Sequence, residues 1–472
     1  GRWTAPASGD VIEVVCPATE QVIARVPHAA EADVDMAVAS ARDAFDDGPW
    51  PRMAPAERAE VVTRIRDGLF ARRAELAELI TRQNGSPISF SRRGQAAAAV
   101  AVYDSALATA AALDWEERRA GAAGPVLVRR EPVGVVAAIT PWNVPQFTTA
   151  AKLAPALLAG CAVVLKPSPE TPLDAYLLAD VCAEARLPEG VLSVLPAGRE
   201  TGAYLVGHPG IDKIGFTGSV AAGRAVMAAA ARNLTRVTLE LGSKSAGILL
   251  DDADLDTAIP QLVGGAFVNS GQACVALTRV LAPATRYDEI AARLTAAVSA
   301  LTVGDPMDPA TTVGPMVTRA QRQRNLDYIS DGRAQGATVL TGGGVPKGLS
   351  TGWYVEPTLL GDVTNDMRVA REEIFGPVVC LIRYVDEAEA VRIANDSDFG
   401  LSGAVFAGDV EHGTAIARQI RTGTYGVNCQ RFELGAPFGG YKNSGIGREF
   451  GAEGLAAYLE YKSIVLPAPA AV

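Results

Sequence analysis

Apolar segments of strand length alternate with helical segments from Val133 onward, and this alternation restricts the fold more than any other feature of the chain. The segments VGVVAAIT, CAVVLKP, VLSVLPA, KIGFTG and VTLELG have strand character, and the residues between them have the apolar spacing of helices. Buried strands that alternate with helices are typical of a parallel sheet covered on both faces. The sequence therefore predicts an α/β fold that binds ligands at the carboxyl ends of its strands.

A second alternating stretch begins near Ser245 and includes AGILLDD, RVLAPA, VVCLIRYVD and LSGAVFAG. We therefore expect two α/β halves that meet near Gly242. The length of 472 residues suits two large domains or three smaller ones.

Helical periodicity also precedes the first alternating stretch. Apolar spacing predicts helices over 31–46, 55–84 and 93–113, the second of them with Pro near its start and Gly just after its end. The segment 115–132 differs, because LVRREPVGVV has strand character and GAAG supplies a turn. Two strands around a glycine-rich turn predict a hairpin that projects from the body.

Composition excludes several classes of protein. The 43 basic and 53 acidic residues give a net charge of −10, which disfavours a dedicated nucleic-acid binder. The longest uncharged run, 132–151, is interrupted by Pro141, Asn143 and Pro145, so we expect no membrane span, and the first residues lack the pattern of a signal peptide.

Cysteine and histidine usage argues against a metal site. The nearest pair among the six cysteines, Cys161 and Cys182, is 21 positions apart, and the three histidines form no cluster. Zinc sites need close ligand pairs, so we expect no metal. Dispersed cysteines in a long chain are typical of reduced thiols, and we expect a cytoplasmic protein.

Three places in the sequence carry candidate chemistry. Gly218 and Ser219 follow a strand and open a helix, whose free N–H groups suit a phosphate, although a capped helix start explains the same residues. Cys274 follows a turn among small residues, and it is either a nucleophile or a buried apolar residue. Glu240 closes an apolar strand, as a base raised in pKa by burial or as the ion-pair partner of Lys244.

Two further segments carry unusual residues. TPWNVP sets Asn143 between two prolines at the end of a strand, where a rigid backbone would fix the amide for hydrogen bonding to an oxyanion. PFGGYKNSGIGREFG, residues 437–451, is a glycine-rich loop that either lines a cleft or packs between domains.

Together and in this order, TPWNVP, KPSPETPL, GFTGS, ELGSKS, NSGQAC, EEIFGPV and PFGGYKNSGIGRE resemble the aldehyde dehydrogenase superfamily. The resemblance implies an α/β fold with a Rossmann-like coenzyme domain (1–113 and 133–242), an α/β catalytic domain (243–450) and a small β oligomerisation element (114–132 and 451–472). It also implies a homodimer or homotetramer.

The resemblance implies a hydrolytic, NAD(P)-dependent oxidation of an aldehyde to its carboxylic acid. Cys274 would attack the carbonyl, and the oxyanion would be held by the Asn143 amide and the Cys274 N–H. Hydride transfer to the cofactor would leave a thioester, and Glu240 would activate the water that hydrolyses it.

For the cofactor, the resemblance assigns Lys166 to the adenosine ribose. Trp142, Gly218 and Ser219 would lie near the pyrophosphate. Glu373 and Phe375 would hold the nicotinamide ribose and ring.

Two positions depart from the family pattern. Many NAD-preferring members have a glutamate where this chain has Pro169, with Glu170 one place later. Loss of that charge removes the repulsion of a 2′-phosphate, so use of NADP is possible. NAD remains the expected cofactor. Ser243 replaces the glycine that the family usually has after ELG.

The substrate tunnel of the family often has aromatic side chains where this chain has Val144, Thr148 and Ala151, and Phe432 would remain as one wall. Small side chains widen a tunnel, so we expect a bulky or long aldehyde. Two alternatives stay open at this stage. One is a coenzyme-A-acylating semialdehyde dehydrogenase, whose members generally lack the glutamate at position 240, and the other is a catalytically silent relative with a binding or structural role.

Overall fold

The computed structural model of the protein describes residues 3–467. Its strands are β1 (Val11–Cys16), β2 (Gln21–Pro27), β3 (Glu116–Arg119), β4 (Val126–Pro132), β5 (Val135–Ile139), β6 (Ala162–Lys166), β7 (Leu192–Val194), β8 (Lys213–Thr217), β9 (Arg236–Glu240), β10 (Ala246–Leu249), β11 (Arg279–Pro283), β12 (Thr338–Thr341), β13 (Thr358–Gly361), β14 (Val378–Tyr384), β15 (Phe399–Gly400), β16 (Gly403–Phe406), β17 (Gly426–Val427), β18 (Tyr441–Lys442), β19 (Gly445–Ile446) and β20 (Leu459–Val465).

The helices, in chain order, are α1 (Glu31–Asp46), α2 (Pro55–Ala71), α3 (Arg73–Asn84), α4 (Ile88–Phe90), α5 (Ala98–Ala111), α6 (Pro145–Ala159), α7 (Leu173–Glu184), α8 (Arg199–Gly207), α9 (Val220–Ala230), α10 (Leu255–Ala266), α11 (Tyr287–Ser299), α12 (Arg319–Ala334), α13 (Arg368–Arg371), α14 (Glu387–Asn395), α15 (Val410–Ala417) and α16 (Gly451–Ala456). Short 3₁₀ turns cover Trp50–Arg52 and Val268–Gly271, and a π-helical turn covers Ser91–Ala97.

The first large sheet has the strand order β19-β9-β8-β5-β6-β7, and its strands are parallel except for β19. All five residues of β5 and all five of β6 are buried, because helices cover both faces. One face packs against α1, α8 and α9, and the other packs against α2, α5 and α6. This sheet confirms the parallel α/β arrangement predicted from the alternating segments.

The second large sheet has the order β12-β13-β14-β11-β10-β16-β17, with only β12 antiparallel to its neighbour. Its two faces are covered by separate apolar clusters, one built around α12 and α14 and the other around α10 and α11. The nucleophile candidate lies in the loop that enters β11.

A third sheet, β20-β4-β3, contains the projecting hairpin and the last strand of the chain. Strand β20 runs antiparallel to β4 from the pair Leu459–Pro132 to the pair Val465–Val126. The glycine-rich turn that the sequence predicted joins β3 to β4.

Two helix predictions differ from the structure in detail. Helix α1 covers the predicted 31–46, whereas the long helix predicted over 55–84 divides into α2 and α3, because Arg72 leaves helical geometry at φ −96° and ψ 13°. The helix predicted over 93–113 starts as a π-helical turn and ends at Ala111.

The predicted domain limits stay a prediction. The structure adds one detail to them, since β19 belongs to the first sheet although it lies within the segment 243–450 that was predicted to form the catalytic domain. No helix among residues 3–467 is both long enough and apolar enough to cross a membrane.

Candidate active site

The candidate residues from the first half of the chain gather at one edge of the first sheet. Lys166 is the last residue of β6, Glu240 is the last of β9, and Gly218 follows the end of β8. Asn143 lies in the loop that leaves β5, which is the central strand. Since these strands are parallel, their carboxyl ends meet at the same edge, where such sheets bind ligands.

The loop before Cys274 has an unusual backbone. Asn269, Ser270 and Gly271 all have positive φ, at 49°, 59° and 74°. Left-handed geometry in a residue other than glycine is unfavourable, and it persists only where surrounding contacts enforce it. The loop therefore holds a conformation that the neighbouring structure must stabilise.

Those contacts come from three segments. The Asn269 amide donates to the Asn143 carbonyl at 3.0 Å and to the Gln272 carbonyl at 3.3 Å, and its oxygen accepts from the Ser86 hydroxyl at 2.6 Å. The Ser270 hydroxyl accepts from the Gly314 N–H at 2.8 Å. Asn143 belongs to the loop that leaves β5, so its hydrogen bond with Asn269 ties the strained turn to the sheet edge at which Glu240 lies.

Asn143 is buried and firmly placed. Its Nδ2 donates to the Gln272 carbonyl at 2.9 Å, which uses one of the two amide hydrogens. Its own carbonyl accepts from the side chains of Asn84 and Asn269. One amide hydrogen therefore remains for a ligand next to the residues that precede Cys274.

Cys274 is half-buried, and its thiol is in an environment that favours the protonated form. Burial, together with the nearby carboxyl groups of Glu373 and Glu240, raises the pKa of the Cys274 thiol to about 12, although the hydrogen bond from its own N–H acts in the opposite direction. The structure thus brings Cys274 and Glu240 into one electrostatic environment, as the sequence predicted.

Glu240 is 4% exposed, and neither of its carboxyl oxygens has a hydrogen-bond partner within the described part of the chain. Burial, reinforced by the charge of Glu449, raises the pKa of Glu240 well above its usual range. The ion pair between Glu240 and Lys244, which the sequence left open, is absent from residues 3–467. An unpartnered buried carboxyl group beside a thiol can exchange protons with a reacting molecule.

A buried ion pair behind Glu240 was missed by the sequence analysis. Lys152, in α6, is fully buried and donates to Glu449 Oε1 at 2.8 Å and to the Thr217 hydroxyl at 2.6 Å. Its charge lowers the pKa of Glu240, and the charge of Glu449 raises it. A single lysine within the apolar helix TTAAKLAPALLAG was the available signal, since a buried charge needs a partner.

The edge beside β8 and β6 has the features of a dinucleotide site. Ser219 caps α9 by accepting from the Ala222 N–H, which leaves the first N–H groups of that helix free for a phosphate. Lys166 is buried, and within residues 3–467 the only hydrogen bond of its ammonium is to the Pro167 carbonyl at 3.0 Å. Burial lowers the pKa of Lys166 to about 8, while the charge of Glu170 acts against this shift.

Aromatic and acidic groups complete this edge. Trp142 and Phe375 make an edge-to-face contact, with their ring centroids 5.3 Å apart. Glu373 accepts from the Ser243 N–H at 2.8 Å, and burial raises the pKa of its carboxyl group to about 7. A Cβ on Gly242 would lie 2.2 Å from a Glu373 oxygen, so only glycine leaves room for the carboxylate there. The free helix end, the buried lysine and this shaped carboxylate fit a dinucleotide.

Helix α12 positions the Glu373–Phe375 segment, which the sequence analysis also missed. Gln321 donates to the carbonyls of Ile374 and Phe375 at 3.0 and 2.7 Å, and Arg324 donates to the Glu373 carbonyl at 2.6 Å. Phe375 itself has φ 64°. No sequence pattern predicts these contacts, because polar residues on a partly exposed helix cannot be distinguished from ordinary solvent-facing residues.

Comparison with known proteins agrees with this geometry. The model of the aldehyde dehydrogenase family matches residues 3–464. The chain belongs to this family.

Individual relatives cover almost the whole chain. It is 47% identical over 467 residues to geranial dehydrogenase from Castellaniella defragrans, an alignment that spans 99% of this chain and 97% of the relative. An aldehyde dehydrogenase of Mycobacterium tuberculosis, complexed with NAD⁺, has a TM-score of 0.98 and 50% identity and covers 100% of this chain and 98% of its own.

A third relative was solved with a substrate-like molecule. A variant of aldehyde dehydrogenase C from Pseudomonas syringae, complexed with NAD⁺ and octanal, has a TM-score of 0.97 and 43% identity, and covers 100% of this chain and 96% of its own. The predicted family, fold class and enzyme class are confirmed. The roles of individual residues stay predictions.

The predicted substrate residues of this aldehyde dehydrogenase differ in how accessible their side chains are. Val144 is half-exposed, but Thr148 is buried and its hydroxyl bonds to the Val144 and Pro145 carbonyls of its own helix. Ala151 is also buried. Phe147, which the sequence analysis did not name, is half-exposed and lies one helical turn after Asn143.

Phe432 lies within a cluster of four phenylalanine rings, Phe147, Phe432, Phe438 and Phe450, whose contacting centroids are 4.5–6.0 Å apart. Phe432 is 42% exposed, so the cluster presents an apolar surface. The Gln430 amide donates to the Val275 carbonyl at 2.7 Å, which ties the segment that carries Phe432 to the residue after Cys274.

Proposed function

We propose that the protein oxidises an apolar aldehyde to its carboxylic acid with NAD⁺, with Cys274 as nucleophile and Glu240 as base. The observation that supports this best is the pairing of a half-buried thiol on a strained, locked loop with a buried carboxyl group that has no partner. A merely structural carboxyl group at this depth would be hydrogen-bonded.

Thiol activation follows from the position of Glu240. The thiol has a pKa of about 12 and is protonated near neutral pH. Glu240, whose pKa burial raises, is a stronger base than an exposed carboxylate and accepts the thiol proton as sulfur attacks the carbonyl carbon. The new oxyanion receives hydrogen bonds from the free Asn143 amide hydrogen and the Cys274 N–H. Loss of one such donor typically costs about 10²–10³ in rate.

The cofactor would be held by residues that come from both halves of the chain. Lys166 and the free end of α9 at Gly218 and Ser219 bind the adenosine ribose and pyrophosphate side, with Trp142 beside them. Glu373 and Phe375 bind the nicotinamide side. When bound, NAD⁺ supplies the acceptor for the hydride that leaves the substrate carbon.

Hydrolysis of the Cys274 thioester completes the reaction. Once Glu240 has released the thiol proton to solvent, it removes a proton from water as the water oxygen attacks the thioester carbon. The departing sulfur then takes that proton from Glu240, which restores both the thiol and the carboxylate. Removing a positioned base commonly costs about 10²–10⁴ in rate. Lys152 and Glu449 act behind Glu240 as positioning residues, because their opposite charges shift its pKa in opposite directions.

The phenylalanine cluster supports an apolar substrate. Within this cluster, the exposed ring of Phe432 and the half-exposed ring of Phe147, together with the small side chain of Val144, offer surface that gains by burying hydrocarbon. Two of the relatives carry names of apolar aldehydes, geranial and octanal, whereas others are betaine aldehyde dehydrogenases. We favour the apolar class because the accessible side chains here, Phe432 and Val144, are uncharged and apolar. Aromatic rings can also bind a quaternary ammonium group, so betaine aldehyde is the competing substrate that the test below includes.

NAD⁺ is favoured over NADP⁺ by Glu170. The sequence placed this residue one position beyond the usual glutamate, yet its carboxylate acts on the pKa of Lys166 and bonds to the Ser168 hydroxyl. A negative charge at the end of β6 repels a 2′-phosphate.

We also propose a homodimer or homotetramer in the cytoplasm. The β20-β4-β3 sheet leaves β20 as an edge strand, and Tyr461 and Val465 on it are exposed, so its free edge suits contact with another subunit. All six cysteines are unpaired, which fits a reducing compartment.

The alternative reaction transfers the acyl group from the Cys274 thioester to coenzyme A. It predicts that product forms only with coenzyme A present, and it needs no base to activate water. The presence of Glu240 favours hydrolysis. The test is formation of reduced nicotinamide from a panel that contains geranial, octanal, short aldehydes and betaine aldehyde. Each aldehyde is assayed with NAD⁺ or NADP⁺, with and without coenzyme A, for the parent chain and Cys274→Ala.

We expect turnover of the long apolar aldehydes with NAD⁺ and none in Cys274→Ala. Turnover of short aldehydes alone would refute the apolar class. Product formation that requires coenzyme A would refute hydrolysis, and full activity of Cys274→Ala would refute the nucleophile.

A further inference from the structure

A small cavity lies where β10 and β11 begin, outside the residues assigned to catalysis. Lys244, Arg279 and Tyr425 line it, together with the hydroxyl-bearing residues Ser243 and Ser245. Its volume of ≈ 10 Å³ holds about one water-sized group. Ser243 is the position where the family usually has glycine, so its hydroxyl is an added polar group.

Two donors at this cavity have no acceptor within the described residues. Lys244 is 2% exposed and its ammonium is unpartnered, and the buried Tyr425 hydroxyl is unpartnered as well. A buried charge without a partner is strongly unfavourable, and native structures satisfy such groups with protein, water or ions. Burial lowers the pKa of Lys244 to about 8, so it still carries its charge near neutral pH.

Arg279 adds a second positive charge, and none of its hydrogen bonds in the described part of the chain goes to a carboxylate, although the charge of Asp396 acts on it through space. Its guanidinium donates to the carbonyls of Lys244, Ile393 and Ala394 and to the Asn365 amide oxygen, all of which are uncharged. The cavity therefore borders two buried cations.

Nearby carboxylates are engaged elsewhere. Glu373 accepts from the Ser243 N–H at 2.8 Å, and Asp396 forms an ion pair with Arg371 at 3.0 Å. Neither carboxylate forms an ion pair with Lys244 in the part of the chain that the structure describes. Glu373 and Asp396 act on Lys244 and Arg279 through space, yet the Lys244 ammonium and the Tyr425 hydroxyl still lack an acceptor among the described residues.

We propose that the cavity binds a single halide ion, chloride in the cell, held by the Lys244 ammonium and the Tyr425 hydroxyl, with Arg279 supplying further positive potential. The small volume excludes sulfate and phosphate. A water molecule would fit, but it would leave the Lys244 ammonium without an anion in direct contact. The site goes beyond the proposed reaction.

Thermal unfolding in sodium chloride, sodium bromide and sodium gluconate of equal ionic strength tests the proposal without relying on activity. Bromide-treated crystals add a direct test, because bromide scatters anomalously. We expect saturating halide to raise the Tm of the parent by about 2–3 °C over gluconate, and an anomalous peak between Lys244 and Tyr425.

Three variants separate this site from general salt effects. Lys244→Met and Tyr425→Phe should lose the halide-specific shift. Lys213→Met is the matched control, because Lys213 is equally buried but bonds to the Thr238 hydroxyl in the other sheet, and it should keep the shift. If Lys244→Met fails to fold, Tyr425→Phe and the crystals still decide. No halide-specific shift with no peak, or equal loss in Lys213→Met, overturns the proposal.

Discussion

Replacing Gly271 by alanine tests whether the strained loop before Cys274 sets catalytic geometry. Alanine at φ 74° costs about 1–2 kcal/mol in backbone energy. Its Cβ would also lie 2.2 Å from the Gly376 carbonyl oxygen and 2.8 Å from the Pro377 nitrogen. Both contacts are with backbone, so the two segments must separate by about 1 Å to reach van der Waals distance.

That separation displaces Cys274 relative to the cofactor segment that precedes Gly376. A misplacement of about 1 Å typically costs about 10²-fold in rate, so kcat/KM of Gly271→Ala should fall at least about 100-fold. Stopped-flow formation of reduced nicotinamide measures the loss, and circular dichroism checks folding.

The control is Gly264→Ala, in the helix just before this loop, where the new Cβ meets no atom within 4 Å. This variant should retain kcat/KM within about twofold, because a helical alanine is favourable. A folded Gly271→Ala enzyme with kcat/KM within about fivefold of the parent would refute the argument that the loop is locked.

Three further predictions concern the cofactor and the thiol. In Gly242→Ala the new Cβ would lie 2.2 Å from Glu373 Oε2, so the displaced carboxylate should raise KM for NAD⁺ about tenfold with little change in Tm; an unchanged KM would remove Glu373 from the cofactor site. Glu170→Gln should raise kcat/KM for NADP⁺ about tenfold while NAD⁺ use changes little, and an unaltered ratio of the two would show that Glu170 does not select the cofactor. Iodoacetamide labelling of Cys274 without cofactor should accelerate about tenfold per pH unit from pH 7 to 9. The reason is that a thiol pKa of about 12 keeps the thiolate fraction small throughout this range, where it rises about tenfold with each pH unit. A labelling rate that reached a plateau below pH 8 would contradict a raised thiol pKa.

The fold and the ends of its strands were predictable because they depend on local patterns. Helix α1 was placed over the residues it occupies, since Val34, Val38 and Ala41 repeat on one face and that face is buried. Glu240 was identified as a candidate at the carboxyl end of a strand, whereas Lys166 was assigned by the family resemblance. Parallel strands place the two residues at the same edge of the sheet.

The remaining parts of the site depend on contacts between distant residues. Lys152 and Glu449 are 297 positions apart, and no local pattern joins them. The positive φ of Asn269 is imposed by hydrogen bonds from other loops, and nothing in the sequence NSGQAC reports it. Thr148 was chosen by its position in the family, yet its hydroxyl is used within its own helix, whereas Phe147 faces the phenylalanine cluster.

The most direct test of the proposed reaction is intact-protein mass spectrometry of Glu240→Gln after mixing with octanal and NAD⁺. Glutamine keeps the shape of a side chain that forms no hydrogen bond in the structure, so the variant should fold. Glu240 is the proposed base in both thiol attack and thioester hydrolysis, so we expect turnover to fall about 10²–10⁴-fold. Because water is a weaker acid than the Cys274 thiol, hydrolysis depends more on the base than thiol attack does, and an acyl adduct should accumulate on Cys274. If Glu240→Gln turned over at the rate of the parent and showed no adduct, the assignment of Glu240 as the base would be wrong and the proposed hydrolytic mechanism would lose its main support.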